Sequence, residues 1–554
     1  MTANVSDSTP DDAPDAGSDA ARDAGTGALD RSRTVAVVGT GTMGQGIAQV
    51  ALVAGHPVRL YDTAPGRAEE AVAALVNRLD RLVEKGRMDK ADRDAAVARL
   101  HAAARLTELA DAALVVEAIV EQLPVKRQLF AELEKIVGDD TLLATNTSSL
   151  SVTAIAGGLR LPGRFVGLHF FNPAPLLPLV EVVSGFATDA SSATRAYETA
   201  KSWGKTPVRC ADTPGFIVNR IARPFYAEAL RVYEEGAADP ATIDAALREC
   251  GGFRMGPFEL TDLIGQDVNE AVTRSVWDSF YQDPKFTPSL AQRRLVESER
   301  LGRKSGHGWF PYGEGAAAPE PHTAPPAEPP ASVTVQGDLY QARALVRRIE
   351  ASAVVVDLAD DAVPGYPGWI ELPSGTRLFL ADGTSADDAE MPVVHFDLAL
   401  DFATCERIVL APAATVDERS LQEATGLFQA AGMKVSVIRD VPGMIVARTV
   451  AMLADFAFDA ATRAVADADD IDTAMRLGVN YPRGPLAWGE ELGVGWVLET
   501  LSNLHEEYPT GRYAPSQALR RRVAAEHAAE ARREREAAGD EHAAARVAGE
   551  EATA

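Results

Sequence analysis

Thr34-Val-Ala-Val-Val-Gly39-Thr-Gly41-Thr-Met-Gly44, continued by the amphipathic stretch Thr42 to Ala54 and by Gly55, decides how the first part of this chain folds. A β-branched run, a glycine-rich turn and a helix closed by glycine read as strand, tight turn and helix. A second strand, Pro57 to Tyr61, ends at Asp62, so the unit is βαβ with a carboxylate at the tip of its second strand. In that setting Gly39 allows the turn, Gly41 lets the backbone approach a pyrophosphate, and Gly44 lets the helix pack on the strand. Thr42 and Met43 open the helix, whose free N–H groups favour an anion. Asp62 can accept hydrogen bonds from adenosine ribose hydroxyls and repels a 2′-phosphate, which favours NAD. Arg59 and Arg67 lie close in sequence and keep NADP open.

Working outward, Ala113 to Ile119, Leu142 to Thr145 and Arg164 to His169 are further strands separated by helical stretches, the pattern of a parallel sheet. After about residue 205 the strands stop. Asp212-Thr-Pro-Gly-Phe-Ile-Val-Asn219-Arg220 then opens a long helical region that runs to Gly308, followed by a Pro/Ala-rich linker, Ala316 to Ala331. Asp212, Pro214, Gly215, Ile217, Val218 and Arg220 recur as Asp440, Pro442, Gly443, Ile445, Val446 and Arg448. The same offset of 228 carries Ile243-Asp244 onto Ile471-Asp472 and Gly256-Pro257 onto Gly484-Pro485, so the helical domain is duplicated. Asn219 becomes Ala447 in the copy. Between the copies, Ala353 to Leu358, Val393 to Leu398, Arg407 to Leu410 and Val435 to Ile438 are short strands without a glycine-rich phosphate turn. From about Leu519 the chain is Ala, Arg and Glu, either a solvated helix or a disordered tail.

His169 closes a strand at the carboxyl edge of the sheet, where α/β folds place ligands. The turn Phe170-Phe-Asn-Pro-Ala-Pro and the return strand Pro178 to Val183 deliver Glu181 back toward it. A carboxylate among Leu179, Val180, Val182 and Val183 needs a partner, and the imidazole is the obvious one. Imidazole as base with a carboxylate to hold its tautomer suits alcohol oxidation by hydride transfer to a nicotinamide. Thr145-Asn146-Thr-Ser148-Ser149 offers short polar side chains at the same edge, as polar turn residues or as contacts. Asn219, on a mostly apolar helix, needs a hydrogen-bond partner, a substrate or a structural one.

The chain has 554 residues and a formal net charge of −26, which argues against nucleic acid and against an anionic membrane surface as partner. No segment offers the roughly 18 uninterrupted apolar residues of a membrane span, and the first residues lack a secretory pattern, so a cytoplasmic location is expected. Cys210, Cys250 and Cys405 lack metal-ligand spacing and read as buried thiols; no metal site is expected.

The Gly39 loop, Thr145-Asn-Thr-Ser-Ser, His169-Phe-Phe-Asn-Pro, Glu181, Asp212-Thr-Pro-Gly-Phe-Ile-Val-Asn-Arg, Gly256-Pro-Phe-Glu-Leu-Thr-Asp and Arg303-Lys-Ser-Gly-His-Gly-Trp-Phe together resemble the 3-hydroxyacyl-CoA dehydrogenase family over residues 34 to 312. The resemblance implies that His169 is the catalytic base and Glu181 its partner, that Ser148 and Asn219 bind substrate oxygens, and that Glu121, Lys126 and Asn146 line the cofactor and substrate cleft. Lys85 and Arg87 resemble the region that meets coenzyme A phosphates; a solvated helix end is the other reading. The duplicated tail resembles the long bacterial form of the family, associated with phenylacetate breakdown and 3-hydroxyadipyl-CoA; 3-hydroxybutyryl-CoA is the other candidate substrate. Thr287 stands where that form is expected to carry a basic residue, and Arg223 and Lys285 are candidates for contacting a distal carboxylate. No hydratase domain is expected upstream of Thr34.

The expected order is a disordered tail (1–32), an α/β Rossmann domain binding NAD (33–211) and an all-α domain (212–312). A linker (313–337), a reduced Rossmann-like layer (338–438), a second copy of the α domain (439–518) and a charged tail (519–554) follow. A hinge is expected near residues 205 to 212. The resemblance implies an acyl-CoA thioester as substrate and either a homodimer or an internal pseudo-dimer. A hydroxyacid dehydrogenase of another kind and a crystallin-like NAD-binding protein without catalysis are the alternatives.

Overall fold

A computed structural model describes residues 27–317, 319–359 and 367–551. They form two compact units that meet in the chain at Asp212 and Thr213.

The first unit is built on eight strands: β1 (Thr34–Val38), β2 (Val58–Tyr61), β3 (Leu100–Ala103), β4 (Ala112–Glu117), β5 (Leu142–Thr145), β6 (Phe165–Phe170), β7 (Leu179–Ser184) and β8 (Thr206–Ala211). Their order is β3-β2-β1-β4-β5-β6-β7-β8. All neighbours run parallel except β6 and β7, which are antiparallel. Val35, Val37, Leu114, Val116, Leu168 and Val182 bury the sheet against its covering helices, which is why these strands are nearly continuous apolar runs. Two expectations are corrected here. Residues 206–211 are an edge strand, so the strands do not stop at about residue 205; Pro207 and the exposed Arg209 dilute the apolar signal that would have announced it. Much of the expected disordered tail, residues 1–26, lies outside the described residues, but Leu29 is buried in the core and donates its N–H to Thr199 Oγ1.

The second unit holds β9 (Ser332–Gln336), β10 (Val355–Ala359), β11 (Trp369–Glu371), β12 (Arg377–Leu380), β13 (Val393–Phe396), β14 (Arg407–Pro412) and β15 (Lys434–Val437). Among the described residues they make one mixed sheet of order β10-β9-β11-β12-β13-β14-β15. The strand β9 falls inside the expected linker. The stretch before it is strapped to the sheet: Ala324 N–H donates to Val435 O, and Gln429 Nε2 donates to Pro325 O. Helix Arg223–Glu234 of the first helical copy packs on helix Val446–Thr462 of the second. Arg512 and Tyr513 donate to the buried Glu228, Arg448 to the part-exposed Glu235 and Arg220 to the part-exposed Asp459, so the two copies are joined through ion pairs. The last helix, Gln517–Glu551, begins before the expected tail boundary and buries Ala518, Leu519 and Val523. Among the described residues no helix is long and apolar enough to cross a membrane, and no His/Cys/Asp/Glu cluster could hold a metal.

Candidate active site

The dinucleotide turn is shaped by what a side chain would strike. Gly39 has φ +98°, and a Cβ there would stand 2.5 Å from Ala118 O; a Cβ at Gly44 would stand 1.8 Å from Gly39 O. At Gly41 the space within 4 Å is open. Helix Thr42–Val53 starts at Gly41 with no side chain capping its first N–H groups, which suits a pyrophosphate. Met43 packs on the core and Thr42 is exposed. At the tip of β2, Asp62 Oδ2 accepts from Thr40 N (2.9 Å) and Thr40 Oγ1 (2.7 Å), and Oδ1 accepts from Ala64 N (3.0 Å). Partial burial works to raise this carboxyl, but the Thr40 and Ala64 donors and Arg67 hold it below the ordinary carboxylate value. Arg59 is paired with Asp111 at 2.5 Å and Arg67 with Glu70 at 3.4 Å, so neither arginine is tied to Asp62. The chain therefore fits NAD by its glycine cradle and by its carboxylate at the ribose position.

His169 and Glu181 are register partners on the antiparallel strands β6 and β7. A directly opposed pair has its Cβ atoms about 4.5–5.5 Å apart. Here His169 Nδ1 lies 2.6 Å from Glu181 Oε2; the carboxylate is fully buried and the imidazole 6% exposed. A proton on Nδ1 directed at that carboxylate puts the ring's lone pair on Nε2, the tautomer a general base needs. The Phe171 ring lies 4.5 Å from the imidazole, centroid to centroid, and tilts against it.

Beside this pair a second network fixes the Thr145 to Ser149 turn. Glu117, fully buried at the end of β4, accepts from Lys126 Nζ (2.5 Å), Thr145 Oγ1 (2.7 Å) and Ile119 N (2.7 Å). Lys126 Nζ also reaches Glu121 Oε2 at 3.1 Å. Glu121 Oε1 collects Thr147 Oγ1 (2.5 Å), Ser148 N (2.9 Å) and the amide and hydroxyl of Ser149. Burial works to raise Glu121, but Lys126 and the Thr147 and Ser148 donors bring it below its ordinary value. Asn146 Oδ1 accepts from Phe170 N at 2.8 Å and so ties this turn to the strand that carries His169. Thus Glu121, Lys126, Asn146, His169 and Glu181 share one edge of the sheet. Ser148 is held there by its amide, and its hydroxyl makes no hydrogen bond among the described residues. Glu117 escaped the sequence reading; a glutamate closing the apolar run Ala112–Glu117 was the available signal.

Lys85 and Arg87 are exposed just past the end of helix Arg67–Glu84. One and two turns earlier on that helix, Arg81 and Arg78 line a cleft of about 360 Å³ with Thr42, Gly46, Asn172 and Leu176. Their spacing of three is visible in the sequence, but the wall that faces them is not. Asn219 belongs to the second unit, half-buried on the short helix Val218–Ile221.

Comparison with known proteins matches the domains that carry these features. The 3-hydroxyacyl-CoA dehydrogenase NAD binding domain matches residues 34–213, and the C-terminal domain of the same family matches twice, at 215–312 and 443–536. This chain belongs to the 3-hydroxyacyl-CoA dehydrogenase family. The reduced Rossmann-fold domain of 3-hydroxybutyryl-CoA dehydrogenases matches residues 378–442, within the second sheet. The chain is 43% identical to the 3-hydroxyadipyl-CoA dehydrogenase of Escherichia coli K12 over 493 residues, 89% of this chain and 97% of that protein. A 3-hydroxybutyryl-CoA dehydrogenase crystal structure from Escherichia coli K12 superposes with a TM-score of 0.82 at 42% identity, covering 90% of this chain and all of that one. The 3-hydroxybutyryl-CoA dehydrogenase of Clostridioides difficile is 38% identical over 278 residues, 50% of this chain and 99% of its own, and so lacks a counterpart to half of this chain. As a member of this family the chain is an NAD-dependent dehydrogenase that oxidises a 3-hydroxyacyl-CoA to the 3-ketoacyl-CoA.

Proposed function

We propose that His169 is the general base of this oxidation, and the observation that carries the proposal is its register pairing with the buried Glu181. NAD, when bound at the Gly39 turn, supplies the hydride acceptor. His169 takes the hydroxyl proton at Nε2, and Glu181 holds the ring and balances the charge it gains. In the reducing direction the imidazolium returns that proton to the keto oxygen. Ser148 and Asn219 hydrogen-bond the substrate oxygens, the network of Glu121, Lys126 and Asn146 keeps the Ser148 turn in place, and Asp62 accepts from the ribose. Arg78, Arg81, Lys85 and Arg87 supply positive charge for the coenzyme A phosphates.

The substrate we propose is (S)-3-hydroxyadipyl-CoA, formed during phenylacetate breakdown in the cytoplasm. The similarity to the Escherichia coli enzyme of that name, across nearly its whole length, supports it. The second reading, 3-hydroxybutyryl-CoA, is supported by the name of the Escherichia coli crystal structure that superposes on this chain. The second helical copy, packed on the first, supports an internal pseudo-dimer with one active site per chain; light scattering at 58.8 kDa fits it, and twice that mass fits a homodimer.

The deciding experiment follows NADH absorbance with purified protein, NAD and a panel of (S)-3-hydroxyacyl-CoAs that includes the butyryl and adipyl forms. Turnover fastest on the adipyl thioester supports the first reading, and fastest on the butyryl form the second. Unchanged turnover in His169→Ala removes the imidazole from the mechanism.

A further inference from the structure

Five arginines of the second unit are buried among the described residues: Arg220, Arg223, Arg407, Arg448 and Arg512. Four of them hold carboxylates: Arg220 with Asp459, Arg407 with Glu249, Arg448 with Glu235, and Arg512 with Glu228. Arg223 does not. It opens the helix Arg223–Glu234 and is 5% exposed. Its one hydrogen bond runs from an Nη to Thr273 Oγ1 at 3.0 Å, and its guanidinium stacks over Tyr226, 5.0 Å from the ring centroid. Arg223 Nε is buried without a hydrogen-bond partner, and so is the Tyr481 hydroxyl. The ionisable groups that face the guanidinium are the phenols of Tyr226 and Tyr481. A buried cation without a counter-ion costs several kcal/mol, so a cation kept in such a place calls for an anion that arrives from outside.

The internal duplication supplies a control. At the offset of 228, Asn219, Arg223 and Tyr226 become Ala447, Ala451 and Ala454, all buried, and Tyr481 answers to Phe253. Both halves of the cationic niche are therefore absent at the mirrored position, where the second copy fills the same helix face with alanine. Phe253 and Tyr481 are in ring contact, with centroids 5.1 Å apart, so the second copy adds its hydroxyl at the seam between the copies. The other candidate named from the sequence, Lys285, is committed elsewhere, with Nζ 2.5 Å from Asp455 Oδ2. Arg223 follows Asn219 by four residues, across the turn at Ala222 that joins the short helix Val218–Ile221 to the helix Arg223–Glu234.

We infer that Arg223 and the Tyr481 hydroxyl form a built niche for the terminal carboxylate of a dicarboxylic acyl-CoA. This rests on the proposed role of Asn219 at the substrate's reacting end. A carboxylate accepts the guanidinium edge and a phenol O–H at once, which completes both orphaned donors. In 3-hydroxyadipyl-CoA that carboxylate sits three carbon–carbon bonds beyond the hydroxyl carbon, so the two ends are read by groups close together in the chain. The niche makes the second copy a contributor to substrate choice through Tyr481.

The test compares kcat/KM for (S)-3-hydroxyadipyl-CoA with that for (S)-3-hydroxyhexanoyl-CoA, which has the same chain length without the charge, in the full-length protein with NAD. The expected result is an adipyl-to-hexanoyl ratio that falls roughly 100-fold in Arg223→Met and roughly 5-fold in Tyr481→Phe, with a partial return in Arg223→Lys. Melting temperature should stay level or rise in Arg223→Met, because an unpaired buried charge is removed. A ratio within threefold of wild type in Arg223→Met overturns the niche, as does an unchanged ratio in Tyr481→Phe should the arginine variant not fold. Wild-type protein that itself prefers the hexanoyl chain overturns the adipyl reading along with the niche, whereas a wild-type preference for adipyl that survives both substitutions overturns the niche alone.

Discussion

The strands β5 to β8 of the first sheet and β12 to β15 of the second run in the same sequence of directions: parallel, antiparallel, parallel. In the first set His169 faces Glu181; in the second His395 faces Ala411. His395 Nδ1 is buried without a partner, and burial lowers the ring below its ordinary value, which disfavours its charged form. What has survived in both halves is the capping chemistry. Asp212 accepts from Ser151 Oγ and the amides of Val152 and Thr153, and Asp440 accepts from Ser385 Oγ and Asp387 N. Asp244 holds the amides of Phe258 and Glu259 as Asp472 holds those of Leu486 and Ala487. A Cβ at Gly256 or at Gly484 would stand 2.1 Å from the respective aspartate Cγ. Groups that close helix ends were kept in both copies, while groups suited to holding a substrate or moving its proton remain in one.

The largest effect that separates the halves is catalytic. His169→Gln should lower kcat roughly a thousandfold or more, whereas His395→Gln should leave it within twofold. Comparable losses in the two variants would mean that the second histidine also acts on substrate. Next comes the seam between the copies: Arg512→Met strands the buried Glu228 and should cost about 3–5 kcal/mol in urea unfolding. The exposed pair Arg522 with Glu490, 2.9 Å apart, is the contrast, and Arg522→Met should cost less than ~1 kcal/mol.

A pH dependence follows from Asp397 in the second half. Burial pushes its carboxyl up to about 6 even though it accepts amides of Val446, Ala447, Ile445 and Leu398. A carboxyl raised in the folded state contributes most below its unfolded value near 3.8 and loses that contribution as pH rises through about 6. The stability of wild type minus that of Asp397→Asn should therefore fall between pH 4 and pH 7, by at most about 3 kcal/mol. A difference that is flat or rising across this window removes the assignment. The smallest contrast sharpens the shared scaffold: Gly256→Ala and Gly484→Ala should each cost about 1–3 kcal/mol. Unequal costs in thermal melts would show that one of the two clamps has relaxed.

Much of this was legible in the chain itself. The Gly39 turn, the duplication at an offset of 228 and the return of Glu181 toward His169 are local patterns, and strong β-branched runs such as Thr34–Val38 announce their strands. The strands that escaped notice either lack such runs or follow a stretch that disguises them. Leu100–Ala103 reads Leu-His-Ala-Ala, Trp369–Glu371 has three residues, and Ser332–Gln336 follows a proline-rich stretch that reads as linker. Side-chain networks were harder still. Glu117 reads as an ordinary charge until strand β4 and the helix Leu123–Leu133 bring it within 2.5 Å of Lys126, nine residues on. The isolation of Arg223 could not be read at all, since it depends on which carboxylates fail to reach it.

Glu228 answers, at the offset of 228, to Phe456, so the surfaces joining the two copies are no longer self-complementary. In a two-fold dimer of separate chains, every substitution at the seam appears twice and association weakens on dilution. Here a change at Glu228 or Arg512 is felt once, and the covalent tether keeps the two halves at a fixed effective concentration however dilute the protein becomes. One face of the seam is thereby free to specialise while the other keeps only its packing.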